Sequence, residues 1–374
     1  MSAESPALEE PQGSSPAASS NPARTLPGPP AHAPSDGAVP PPTSWTVARA
    51  AGVSQSTVSR ALRGDPRVRE DTRRRVDAAA RKLGYVPNSL AAGLVSRSTR
   101  TVAVIVSDLG NPFFPALLTP IYDELQLMGY RVVLFTERTD IPTGQETLRR
   151  LLDRSIDGVL VTTATLDSRF AGELQHRGLP MVLLNRYIDG MDVDRVVSDN
   201  RGGAVIGGRH LIDLGHRRIA AIRGPSNTST SRDRLEGLQE ALAEGGAPLD
   251  PALVREGTYS HQSGYQHARE LLRLPDPPTA IVCGNDVLAF GALLEAQRLG
   301  IEVPKSLSIV GFDDLELANQ LAPPLTTVQV PTESMWRLAA DRLMAALRGD
   351  AAPERTVLDV QLVVRGSTGP PPRR

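Results

Sequence analysis

Between Thr46 and Arg63 the chain reads TVARAAGVSQSTVSRALR. Four of its side chains, Gln55, Ser56, Ser59 and Arg60, are of types that can meet base edges or phosphates. The rest of the segment says how they would be presented. Ala48 is small enough for a second helix to cross the first closely. Gly52 supplies the positive φ that a tight interhelical turn needs. Ser54 is a good N-cap for the second helix, because its hydroxyl can accept from a free backbone N–H. Val53, Val58 and Leu62 give that helix an apolar face toward a core, which leaves the four polar residues outward. An ordinary αα-hairpin with a solvated polar face has the same local pattern, so neighbouring segments must decide.

Charge supports the nucleic-acid reading. The 374 residues carry a formal net charge of −1, unevenly spread. From Thr43 to Ser98 there are eleven Arg/Lys against four Asp/Glu, a balance of +7. Residues 1–42 carry −3 and residues 99–374 carry −5. A small basic module on a mildly acidic body suits phosphate-backbone binding by the module alone. Cys283 is the only cysteine and lies in the apolar run AIVC, which excludes an internal disulfide and reads as a small core hydrophobe. No apolar run has the length of a membrane span and no hydrophobic signal core stands at the start, so a reducing cytoplasm is the expected compartment.

The length calls for two or three domains. Residues 1–42 are rich in Pro, Ala, Ser and Gly and are expected to be disordered, since they hold too little apolar area to offset ordering entropy. The basic module spans 43–87. Its third helix is expected over about Arg69–Leu83, with Val68, Thr72, Val76, Ala79 and Leu83 inward and Gly84 as the stop. Residues 88–98, with Asn88 or Ser89 as a cap, read as a short linker helix weakened by Gly93. From Thr101 strands alternate with helical stretches: 102–106, 131–136, 158–161 and 181–184, then 218–222, 280–283, 307–312 and a late strand around Val357–Val364. Two such series predict two doubly wound parallel-sheet lobes within 99–365. No glycine-rich dinucleotide or phosphate-loop fingerprint follows any strand. The ending GSTGPPPRR, 366–374, is expected to be disordered, and without a heptad there a dimer is expected rather than a tetramer.

Taken in order, VARAAGVSQSTVSRAL, VREDTRRRV, LGYVPN, DLGNPFF, LGHRRIAAIRGP, RLEGLQEAL, GNDVLAFG and GFDD followed by PPLTT resemble the lac-repressor (LacI/GalR) family of bacterial transcription regulators over residues 46–365. The resemblance implies an all-α helix-turn-helix headpiece and an α/β core like the periplasmic binding proteins. It carries base reading to Gln55, Ser56 and Arg60, where Gln suits adenine and Arg suits guanine. Ser54, Thr57, Ser59 and Asn88 are then expected at phosphates, which fix register. The linker is similar to the family's hinge helix, and Leu94 falls at its minor-groove wedge; simple helix packing is the other reading of Leu94. The chain departs from the family at Ser44 and Thr46. With no carboxylate at the third position, the capping box of helix 1 is expected to be missing, so that the helix frays or Trp45 carries more of its packing.

The same resemblance implies a cleft for a small, sugar-like effector, at the strand ends where open α/β sheets bind ligands. Phe113 and Phe114 would stack on an apolar sugar face, or else be core at a strand–helix turn. Asn185, Arg186, Arg234 and Asp286 would bind adjacent hydroxyls; Arg186 with Asp286 reads equally as a structural ion pair, and Asp286 as a helix cap. Val330 stands where relatives commonly carry Gln, so one polar contact is absent. The expected whole is a ligand-responsive repressor, dimeric on a pseudo-palindromic operator, with no cofactor, metal site or membrane partner. Its rivals are a regulator whose headpiece no longer binds DNA and a bare solute-binding protein. An enzyme is disfavoured, since no Ser/His/Asp set, metal-spaced His or paired acids stand out, and His210 and His216 read as cap or solvated residues.

Overall fold

The computed structural model describes residues 41–86, 98–107, 109–136, 145–152, 155–350 and 352–373. The expectations for residues 1–40 and for Asn88, Gly93 and Leu94 lie outside them. The chain divides between Pro87 and Asn88 into two compact units.

The first unit holds α1 (Ser44–Ala51), α2 (Gln55–Leu62) and α3 (Glu70–Leu83). Val47, Ala48, Ala51, Val58, Ala61, Val76, Ala79 and Ala80 form its core, with Val53, Leu62, Val68 and Tyr85 packed around. Gly52 ends α1 at φ 66 and Gly84 ends α3 at φ 63, where a side chain would be strained. Three expectations fail. The capping box of α1 is present, because a hydroxyl does the work assigned to a carboxylate: Thr46 Oγ1 accepts from Thr43 N at 2.8 Å and Thr43 Oγ1 accepts from Thr46 N at 3.3 Å. Trp45 does not carry the packing and is 70% exposed. Leu83 is exposed, and Ala80 takes the inward place because the stripe turns at 3.6 residues per turn and the last helical residue lies past the core.

The second unit contains two six-stranded sheets. One runs in the order β11 (Arg355–Leu358), β5 (Asp194–Ser198), β4 (Met181–Leu184), β3 (Gly158–Val161), β1 (Thr101–Val106), β2 (Arg131–Thr136). The other runs β12 (Gln361–Val363), β10 (Thr326–Gln329), β9 (Ser308–Asp313), β8 (Ala280–Cys283), β6 (Ile219–Arg223), β7 (Val254–Glu256). Every pairing is parallel except β10 with β12. Helices cover the faces, which is why TVAVIV, GVLV and MVLL are buried throughout.

Two sequence expectations are corrected here. The single late strand is two: 355–358 joins the first sheet and 361–363 the second. Residues 367–369 are not loose. Ser367 is buried, donates to Ile309 O at 2.6 Å and accepts from Thr326 N at 2.8 Å. His216 is buried as well, bonded to Thr279 Oγ1 at 2.8 Å and to Gly369 O at 2.9 Å, so it fastens the tail instead of facing water. His210 meets Thr368 Oγ1 at 2.9 Å. These side-chain partners were invisible to a composition argument that saw only Gly, Ser and Pro.

Candidate functional site

In the headpiece, Ser54 N-caps α2 by accepting from Thr57 N at 3.2 Å. Its hydroxyl also meets Ser56 Oγ at 2.9 Å and Thr57 Oγ1 at 2.8 Å, a knot that sets the angle of the helix start. Gln55 Nε2 donates to Ser44 Oγ at 3.2 Å, so the departure at Ser44 steadies a proposed reader. Ser56 and Arg60 are exposed, and Gln55, Thr57 and Ser59 half-buried. A hollow lined by Trp45, Arg49, Ser54, Gln55 and Ser56 opens beside them. Thus Ser54, Gln55, Ser56, Thr57, Ser59 and Arg60 gather on or beside one helix with the apolar residues behind them. Asn88 and Leu94 lie outside the described residues.

In the second unit a cleft of about 380 Å³ lies between the C-terminal strand ends of the two sheets, within the size range of small-molecule sites. The first lobe brings Ser107, Asn111, Phe113 and Phe114 from after β1, and Asn185 and Arg186 from after β4. The second brings Thr230 and Arg234 from the helix Ser229–Glu244, Tyr259 from after β7, Asn285 from after β8 and Asp313 from the end of β9. Phe113 and Phe114 meet edge to face, centroids 5.6 Å apart, and are largely buried while lining the wall; core and wall are one role here.

Arg234 anchors the second lobe's wall. Its Nε donates to Asn200 Oδ1 at 2.7 Å, its Nη2 to Asp313 Oδ1 at 3.2 Å, and its guanidinium lies 3.6 Å from the Phe312 ring centroid. Burial pushes the Asp313 carboxyl up to about 6, against the pull of Arg234, Asn285 and Arg186. Asn185 and Asp313 hold φ of 68° and 114°, conformations that cost energy and gather at sites where backbone must turn a side chain into a cavity. The Asn185 Oδ1 is buried with no hydrogen-bond partner. Arg186 places its guanidinium 5.8 Å from the Tyr259 ring centroid.

Asp286 does not reach the cleft. It is wholly buried, accepting from Leu315 N at 2.8 Å and Thr327 Oγ1 at 2.5 Å, so it ties β10 and the loop after β9 to the helix Asp286–Arg298. Burial and the neighbouring Asp313 charge raise its pKa well above the usual carboxylate range. Gly311 makes room for it, since a Cβ there would meet Asp286 Oδ1. It is neither an ion pair with Arg186 nor the cap; Asn285 caps that helix by accepting from Leu288 N at 3.0 Å. Of the pair Asn285-Asp286 it is Asn285 that lines the cleft, together with Asp313, Thr230 and Tyr259, which the sequence reading did not single out. Nothing in the run GFDD says which carboxylate turns inward.

Comparison with known proteins agrees with this architecture. Residues 46–88 match the bacterial regulatory proteins of the lacI family, and residues 209–368 match a periplasmic binding protein-like domain. The HTH-type transcriptional repressor CytR of Escherichia coli K12 is 34% identical over 327 residues, covering 87% of this chain and 96% of that protein. The ribose operon repressor of Haemophilus influenzae is 32% identical over 87% of this chain and 98% of its own length. Among solved structures, the lac repressor dimer bound to operator and the anti-inducer ONPF aligns with TM-score 0.78 at 30% identity, over 88% of this chain and 99% of that one. A CelR–cellobiose complex aligns with TM-score 0.68 at 36% identity, over 87% and 99%. The chain belongs to the lacI family of bacterial regulatory proteins, a DNA-binding transcriptional regulator with a helix-turn-helix headpiece and a periplasmic-binding-protein-like core.

Proposed function

We propose that this regulator represses transcription as a dimer on a pseudo-palindromic operator and answers to a small sugar-like effector bound between its lobes. The observation that carries the reading is one chain holding both parts: a reading helix with Gln55, Ser56 and Arg60 outward, and a cleft whose walls present Asn185, Arg186, Arg234, Asn285 and Asp313. Planar amide, guanidinium and carboxylate groups satisfy adjacent hydroxyls and leave wrong isomers unpaired. Relatives support the class of ligand, since one solved neighbour holds cellobiose and another, from Enterococcus faecium, holds ribose. The dimer is supported by the outer edge of the first lobe, where Val133, Leu134, Tyr122 and Leu127 are exposed on β2 and the helix Phe113–Leu127. Asn88 as a phosphate contact and Leu94 as a minor-groove wedge belong to the same reading. The chemistry is binding without catalysis, and the place of action is the bacterial cytoplasm. The degenerate-headpiece alternative loses its motive, because Thr46 closes the capping box and Ser44 bonds Gln55.

The test is selection from a random duplex library with the full-length chain, followed by anisotropy titration and a thermal-shift screen of sugars. Expected are enrichment of a two-fold-symmetric sequence and release or tightening by a sugar that raises the melting temperature. A ligand at 100 times its Kd adds about 2.7 kcal/mol of stability. Equal affinity for selected and random duplex would refute the reading.

A further inference from the structure

Just outside the cleft, five residues bind the lobes to each other. Tyr187 follows the ligand-facing pair Asn185-Arg186, and its hydroxyl donates to Asp233 Oδ2 at 2.9 Å. Arg232 Nη2 donates to that hydroxyl at 2.8 Å, and the same guanidinium reaches both carboxylate oxygens of Asp189. Tyr187 N donates to Ser229 Oγ at 3.0 Å. Arg195 stacks its guanidinium 4.5 Å from the Tyr187 ring centroid, fixing the ring from its own lobe. Tyr187 and Asp189 belong to the loop after β4 in the first lobe; Arg232 and Asp233 lie on the helix Ser229–Glu244 in the second.

The placement matters as much as the bonds. On one side the loop continues directly from Asn185-Arg186, and on the other Asp233 is followed directly by Arg234. We propose that Tyr187, Asp189, Arg232 and Asp233 form a latch of positioning residues that holds Asn185-Arg186 opposite Arg234 before any effector arrives. This rests on the reading of the cleft as the effector site, and goes beyond it by naming what sets the angle between its walls. None of the four belongs to the buried apolar core of either lobe. A side chain serving only local stability would bond within its own lobe, whereas Tyr187 with Asp233 and Asp189 with Arg232 each span the gap. Effector affinity then contains a share that the protein has prepaid, because the arms need not be brought together by the ligand.

The experiment uses full-length protein with spin labels at Arg177→Cys and Arg273→Cys, one exposed site on each lobe. Native Cys283 is buried, so it takes no label. Electron–electron distance distributions are compared for the latched protein, Tyr187→Phe and Arg232→Ala, without effector. The expected result is a narrow distribution that broadens at least twofold in both variants, with the melting transition of the chain unchanged. Should Arg232→Ala fail to fold, Tyr187→Phe decides, since it keeps the ring and removes one oxygen. Superimposable distributions, or a lowered melting temperature with unchanged width, overturn the latch. Thermal shifts of the latched protein with D-ribose and cellobiose are run beside them: broadened variants without any sugar response would leave the latch standing and remove the effector reading.

Discussion

Arg234 donates to Asp313 at 3.2 Å with both side chains more than nine-tenths buried, and this pair joins the helix Ser229–Glu244 to the end of β9 beneath the cleft. Two charges out of water hold each other in place only while both are present. Arg234→Ala leaves the Asp313 carboxyl buried without its strongest partner, and removing one member of such a pair costs about 3–5 kcal/mol. Urea denaturation should show a lower midpoint with an unchanged slope. Arg234→Lys should fall between, because an ammonium cannot serve Asn200 and Asp313 from one plane.

Asp313 also predicts a pH dependence. Its folded-state pKa, raised to about 6 by burial, lies above the ordinary carboxylate value. The folded chain therefore holds this proton more tightly than the unfolded chain, and stability from it is full below about pH 4 and lost as pH rises through 6. The stability of the parent relative to Asp313→Asn should decline across that window, by up to about 3 kcal/mol, and level off above it. Denaturation midpoints of both proteins at pH 4.5 and 7 check this; a difference that grew with pH would be the wrong sign.

His216 works the other way. Burial lowers its pKa despite the bond to Gly369 O. The unfolded chain takes up a proton below about pH 6.5 while the native chain resists, so stability falls as the solution is acidified, by about 1.4 kcal/mol per unit until the native ring titrates. His216→Gln should flatten that loss in melting curves between pH 7 and 5.5. Proteolysis after Arg365 should become faster in the same variant, since the ring no longer fastens Gly369.

The capping box of α1 is testable with two substitutions. Thr43→Ala removes the hydroxyl that accepts from Thr46 N and should cost the headpiece about 1 kcal/mol. Thr46→Glu restores the usual box and should be neutral or slightly stabilising. Circular dichroism melting of the full chain, following the lower transition, reads both.

Trp45 gives an optical reporter. The chain has two tryptophans, and Trp336 is buried in the second unit while Trp45 is exposed beside Gln55 and Arg49. Trp45→Ala should leave melting unchanged within about 0.5 kcal/mol, as surface changes do. Acrylamide quenching of the parent should fall on addition of the selected duplex, and that protection should vanish in the variant.

Much of this was legible from residues alone. The β-branched runs located seven strands nearly to the residue; six of them are largely buried and leave a continuous apolar signature, while β2 keeps an apolar run although Val133 and Leu134 are exposed. Strands β5, β7 and β10 escaped because DRVVS, VRE and TTVQ are short and mix charged or polar groups with the apolar ones. The headpiece was readable from Ala48, Gly52 and Ser54, whose reasons are local. Phe113, Phe114, Asn185, Arg186 and Arg234 line the cleft as the resemblance implied. Asp313 lines the cleft and Asp286 does not, a difference that rests on backbone conformation, since Asp313 holds a φ of 114°, and no sequence pattern reports that. His216 and the tail were misread for a similar reason, since their partners lie far away along the chain.

The chain passes between the two lobes at Asp199, at Val330-Pro331 and at Asp359-Val360, never with more than two residues between the elements on either side. Asp199 N donates to Leu358 O at 2.8 Å, so two of these passages are stitched together. Such short straps forbid sliding and separation and leave rotation about one side of the molecule as the easy movement. If the cleft takes an effector as proposed, a turn of one lobe on the other is the response these straps permit, and the contacts of Tyr187 with Asp233 and of Asp189 with Arg232 set the angle from which that turn starts.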